Sequence, residues 1–157
     1  MKTTTTTTAA SGTNTVPRGI RNNNPVNIIS GSNWQGMSQQ QNDPRFVQFL
    51  APSWGYRAAM LILCRYHERG WNDLTTIISH WAPPGENLTA AYISYVARFT
   101  GLDPHQVLPH PRLDRQLWLN ILQAMTVMES GKRYAFDPTI TLAMAQGYDM
   151  ALPPRKA

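Results

Sequence analysis

Cysteine occurs once in the 157 residues. An intramolecular disulfide is therefore excluded, and the fold has to rest on a packed core. The lone Cys64 lies in the apolar run Ala58-Ala-Met-Leu-Ile-Leu-Cys64 and reads as buried filler, because a catalytic thiol needs an electropositive, partly open setting. No apolar run approaches the ~20 residues of a bilayer-crossing helix, so membrane insertion is not expected. Acidic residues are few, nine against 14 basic ones, for a net charge of +5. That excess favours approach to anionic surfaces such as cell wall. The basic residues are scattered, however, and no zinc-finger, RNP or helicase motif accompanies them, so nucleic acid is the disfavoured partner. No cofactor and no metal-ligand set is expected.

The N-terminal stretch Met1-Lys-Thr-Thr-Thr-Thr-Thr-Thr-Ala-Ala-Ser-Gly-Thr-Asn-Thr15 lacks the leucine-rich core of a secretory signal. Residues 1–16 read instead as a flexible Thr-rich arm. A hydrophobic fraction of 42%, with five Trp and six Tyr, suits one compact domain over 17–150. The remainder, 151–157, contains Pro153-Pro-Arg-Lys-Ala157 and reads as a loose tail.

From 17 to 50 the chain interleaves Asn and Gly with strand-forming Val, Ile, Phe and Trp, which predicts a loop and a small β-hairpin edging a cleft. Amide-rich loops of this kind suit sugar binding, and Asn24 and Asn27 are the candidate contacts. Helices are expected from there on. A helix over 56–68, apolar nearly all round, reads as the central buried one and stops at Gly70. Asp73 can cap a helix over 74–80 that ends before Pro83-Pro84. A helix over 86–100 carries Tyr92 and closes at Gly101. Asp103-Pro104 and Asp137-Pro138 each pair an N-cap side chain with proline at the first helical position. Between them a helix over 111–128 has one broad apolar face.

Only three glutamates occur, which shortens the search for an acid catalyst. Glu129 ends the apolar helix in Gln123-Ala-Met-Thr-Val-Met-Glu-Ser-Gly131. Half-enclosure by core residues and the negative end of the helix dipole would both raise its pKa, as a general acid requires; an ordinary polar helix end is the plain alternative. Glu86, near a helix start, suits a charged cap or a base. Asp43 before Pro44 reads as a turn-forming Asx or as a second carboxylate. Arg57 is a cleft residue paired with a carboxylate, or a surface one. Trp34 and Trp81 either present indole faces to sugar rings or pack in the core.

The segments Arg18-Gly-Ile-Arg-Asn-Asn-Asn-Pro25, Asn33-Trp-Gln-Gly36, Phe46-Val-Gln-Phe49 and Trp81-Ala-Pro-Pro-Gly-Glu-Asn-Leu-Thr89 resemble those of phage and prophage virion-associated peptidoglycan hydrolases with a lysozyme-like fold. Ala-Met-Thr-Val-Met-Glu129-Ser-Gly131 is similar to the catalytic Glu stretch of bacterial glucosaminidases. In those enzymes the Glu helix comes first and the loop, Trp-x-Gly turn and strand follow; here the Glu helix comes last, the pattern of a circular permutation. The resemblance implies an α+β, mostly α, lysozyme-like helical domain with a small β-hairpin lobe. It implies peptidoglycan as partner and glycan cleavage with Glu129 as acid, Asp43 at the place of the second carboxylate, and Glu86 as the acidic site that competes with Glu129. Asn24, Asn27, Trp34, Arg57, Trp81, Asn87 and Tyr92 are then substrate contacts. Without a second carboxylate the reaction would be a lytic transglycosylation, and a non-catalytic virion or wall-binding protein of the same fold is the other reading. Val26 stands where the phage-type motif has Gly, which implies a narrower cleft. Without a signal, such a protein would reach its substrate carried in a virion or delivered to the periplasm, with other virion proteins as partners.

The arm yields a direct expectation. Its one large apolar residue is Met1, so residues 1–15 cannot offset their own ordering entropy. Deleting them is expected to leave the melting temperature unchanged, as calorimetry of the two proteins would show.

Overall fold

The computed structural model describes residues 15–85 and 88–155. The arm before residue 15, and the site candidates Glu86 and Asn87, lie outside the described residues. The order of elements is α1 (Arg18–Arg21), α2 (Pro52–Glu68), α3 (Leu74–Trp81), α4 (Thr89–Thr100), a 3-10 turn (Pro111–Leu113), α5 (Arg115–Ser130), α6 (Lys132–Ala135) and α7 (Pro138–Ala151). The chain is α-rich, as expected. No helix among the described residues is long and apolar enough to cross a membrane.

Local chemistry explains the boundaries. Asp73 caps α3 by accepting from Thr76 N, and Asp137 caps α7 by accepting from Thr139 N, with Pro138 at the first position. Gly101 closes α4 in the left-handed conformation, φ 76°. The expected helix over 111–128 divides in two. Asp114 accepts from Leu117 N and starts α5 afresh after the 3-10 turn. Asp103-Pro104 begins no helix: Asp103 Oδ1 bonds His105 N in a turn, and Pro104 O is taken by the backbone and hydroxyl of Thr75. The expected loose tail is also held for its first residues, since Ala151 is still helical, Leu152 is buried and Pro153 O accepts from Arg112.

The β-hairpin does not form. Among the described residues the segment 29–49 makes two isolated antiparallel bridges, Ile29 with Phe46 and Met37 with Phe49, and no named strand. Amide side chains do the work of a ladder. Gln41 bonds Gln48 N and O, and Gln48 Oε1 accepts from Asn42 N. With backbone groups taken by side chains, a regular strand pair has few partners left to make.

One hydrophobic cluster draws on α2, α3, α4, α5, α7 and the 26–49 loop. The helix over α2 sits at its centre, contributing Tyr56, Met60, Leu63 and Cys64; burial pushes the Cys64 thiol up to about 11. Tyr56 hydroxyl and Thr126 Oγ1, 2.7 Å apart, tie α2 to α5 within that core. Against α7 the approach is closer still. A Cβ on Gly147 would lie 2.5 Å from Tyr56 Cβ and 2.7 Å from the backbone of Arg57 and Ser53. Gly147→Ala is therefore expected to force the two helices apart and lower the unfolding free energy by about 1–3 kcal/mol, measured by urea denaturation.

Candidate functional site

The segment 18–28 wraps onto the end of α5, and nearly every residue in it has an assigned task. Gly19 lies flat beneath its neighbours: a Cβ there would be 2.7 Å from Asn27 Oδ1, 2.8 Å from Asn24 O and 3.0 Å from Ser130 Oγ. Asn23 and Asn27 take left-handed backbone, φ 54° and 55°, a conformation that asparagine tolerates better than other side chains. Ser130, the residue after Glu129, donates to Pro25 O at 2.7 Å. That bond pins the loop against the helix terminus.

Glu129 itself is half-buried one residue before the end of α5. Asn27 Nδ2 donates to its Oε1 at 2.9 Å, and the Tyr92 hydroxyl donates to its Oε2 at 3.0 Å. Tyr92 is 5% exposed. Burial, and then the charge of Glu129, raise its pKa well above the usual phenol value, so it remains a donor to the carboxyl. Each carboxyl oxygen has a second lone pair beyond these bonds. The site is thus built from three elements, the loop after α1, α4 and α5, and it unites three of the residues singled out in the sequence: Asn27, Tyr92 and Glu129.

Asn27 also forms one end of a cleft of about 210 Å³, continued by Ile29, Ser32, Trp34, Arg65, His80 and Trp81. Trp34 is half-buried, and its Nε1 is shielded with no partner among the described residues. Arg65 lies over its ring, 5.5 Å from the centroid. Trp81 is mainly a core residue, its indole N–H donating to Val26 O at 3.3 Å and its ring edge-on to Tyr66; it lends the cleft only a margin. Arg65, Tyr66 and His80 were not singled out in the sequence. The signal was present, since Ile62, Arg65 and Tyr66 recur at i, i+3, i+4 and so share a face of α2.

Other expected contacts prove structural. Asn24 is fully buried; its Nδ2 donates to Ile28 O and Val47 O, and its Oδ1 accepts from Ile28 N. With both amide hydrogens committed and the side chain out of solvent, it is out of reach of a sugar. Val26 is 0% exposed and belongs to the core cluster, so it narrows no cleft: the side chain left the loop surface for the interior. Arg57 is half-buried on α2 and pairs with no carboxylate among the described residues.

Asp43 is not available as a second acid. It accepts five hydrogen bonds: from Arg18 Nε and Nη2 at 2.7 Å each, from Asn22 Nδ2 at 2.9 Å, and from the backbone N–H groups of Arg45 and Phe46 at 2.8 Å. The Arg18 guanidinium first, then these amides against the opposing cost of burial, hold its pKa well below the usual carboxylate range. A group whose pKa is lowered on folding contributes stability above its unfolded pKa and loses it as pH falls. Asp43→Asn is therefore expected to cost about 2 kcal/mol at neutral pH, a difference that shrinks once the pH drops below about 4. Urea denaturation of both proteins at neutral and acid pH checks it.

No protein-family model matches the chain. Protein P5 of Pseudoalteromonas phage PM2 is 38% identical over 130 residues, which cover 79% of this chain and 78% of that protein. At that identity and coverage the chain belongs to the phage protein family of Protein P5.

Proposed function

We propose that this phage protein cleaves the glycan strands of peptidoglycan, with Glu129 as the general acid and a lysozyme-like arrangement of helices around it. The observation that carries this reading is the Glu129 carboxyl, gripped on both oxygens by Asn27 and Tyr92, with Asn27 also lining the cleft that holds Trp34. A carboxyl so oriented can give its proton to a glycosidic oxygen while neutral donors keep it in place. The aromatic surface of that cleft suits the C–H face of a sugar.

With Asp43 bound up by Arg18 and Glu86 outside the described residues, the form of the reaction we propose is the one-carboxyl route. Glu129 protonates the leaving oxygen, and its carboxylate then takes the proton from the sugar's own hydroxyl as that oxygen closes on the anomeric carbon. Delivery within a virion or into the periplasm accompanies this reading, with peptidoglycan and other virion proteins as partners.

A second reading is favoured by one feature. Asn27 and Tyr92 are themselves buried, so their bonds to Glu129 would equally serve as a clamp in a non-catalytic virion component. Substitution separates the two. Glu129→Gln is expected to keep the melting temperature close to wild type and to lower lysis of purified sacculi by roughly a hundred- to ten-thousand-fold. A wild-type protein that releases no glycan fragments, together with a marked loss of stability in Glu129→Gln, would instead establish the clamp.

A further inference from the structure

The cleft that Asn27 shares with Trp34 carries more information about its occupant, on the premise that the occupant is a glycan. Its volume of about 210 Å³ lies below the roughly 300–1,000 Å³ of sites for drug-sized ligands and suits a single sugar unit with its substituent. Trp34 and Tyr66, both half-buried, give it apolar walls. Its charge is one-sided. Arg65 and His80 line it, and among the described lining residues there is no carboxylate.

Arg65 rests against an aromatic ring, as Arg69 does on Trp71 and Arg133 on Tyr134, and it is the arginine that lines this cleft. Arg18 and Arg115 are committed to Asp43 and Asp149, whereas the Arg65 guanidinium rests over the Trp34 ring and pairs with no carboxylate among the described residues. An aromatic face positions a guanidinium without consuming its hydrogen-bond donors, which stay directed to an incoming anion. His80 is fixed as well. Its ring stacks on Trp71 at 3.5 Å with planes 6° apart, and its Nδ1 lies 2.8 Å from Thr76 O. A carbonyl can only accept, so Nδ1 carries a proton and Nε2 is the nitrogen that Thr76 leaves unengaged.

We propose that this cleft binds an N-acetylated sugar bearing a carboxylate, and that Arg65 reads the carboxylate while Trp34 and Tyr66 hold the sugar. The protein would thereby prefer acidic, muramyl-type units to neutral glucosaminyl ones. The carboxylate has two possible sources, the sugar's own lactyl ether and the peptide attached to it.

The test is a titration of the full chain, followed by tryptophan fluorescence and indole N–H resonances, with three probes: di-N-acetylchitobiose, N-acetylglucosaminyl-N-acetylmuramic acid, and the latter carrying a dipeptide. At least one acidic probe is expected to bind about tenfold more tightly than chitobiose, as one charge-assisted contact provides. Arg65→Gln should abolish that preference, and Arg65→Lys should keep part of it. Preference for the bare muramyl disaccharide assigns the lactyl carboxylate; preference only for the dipeptide form assigns the peptide. Equal affinity for all three probes, or a preference that survives in Arg65→Gln, overturns the inference and leaves glycan cleavage standing. Binding of none of them overturns it too, and sacculus lysis by the wild type then judges the catalytic reading by itself.

Discussion

Asn24 stands in for a β-strand. The loop that carries Asn27 to Glu129 runs through the interior, where backbone N–H and C=O groups must find partners or destabilise the fold. No sheet is there to supply them. The Asn24 side chain instead closes on Ile28 N, Ile28 O and Val47 O, serving as donor and acceptor to two stretches of chain at once. Around this amide the remaining bonds of the region fall into place: Val47 N to Ile28 O, Phe49 N to Asn22 O, and Asn23 Nδ2 to Phe49 O. The apolar residues between them, Val26, Ile28, Val47 and Phe49, can then face the core.

Two carboxyl groups of the same region are treated in opposite ways. Asp43 meets a guanidinium and three further donors, one side-chain amide and two backbone N–H groups, an arrangement that fixes it as an anion and uses up its lone pairs. Glu129 meets an amide and a phenol, both neutral. These two bonds orient the carboxyl.

Helices were legible in the sequence because their signals are local. Asp73, Asp137, Gly101 and the apolar spacing of α2 act over one or two turns, and each performs its expected task. The hairpin was misread for the converse reason. Alternating apolar residues in 26–49 do face the core, but whether the backbone pairs as strands depends on Asn22, Asn24 and Gln48 reaching across, which no local pattern encodes. Glu129 could be singled out from its place at a helix end and the scarcity of glutamate. Its partners are harder to derive, since a loop asparagine and a helical tyrosine meet there only through tertiary packing. Val26 shows the same effect: an apparent insertion into a binding loop is an ordinary core residue once the loop turns inward.

The bonds that assemble the Glu129 site are long in sequence. Asn27 and Glu129 are 102 residues apart, Pro25 and Ser130 are 105 apart, and Tyr92 reaches Glu129 across 37. Closing such loops costs entropy before any contact repays it, and the packing of α2 on α7 and α5, where Tyr56 meets Gly147 and Thr126, carries the same burden; only the bonds within each helix are local. Each helix can form from its own local bonds, but the carboxyl acquires its two donors, one from the 18–28 segment and one from α4, only when the chain has closed on itself. A nascent or partly unfolded molecule therefore carries Glu129 without its grip, and completion of the site marks the completion of folding.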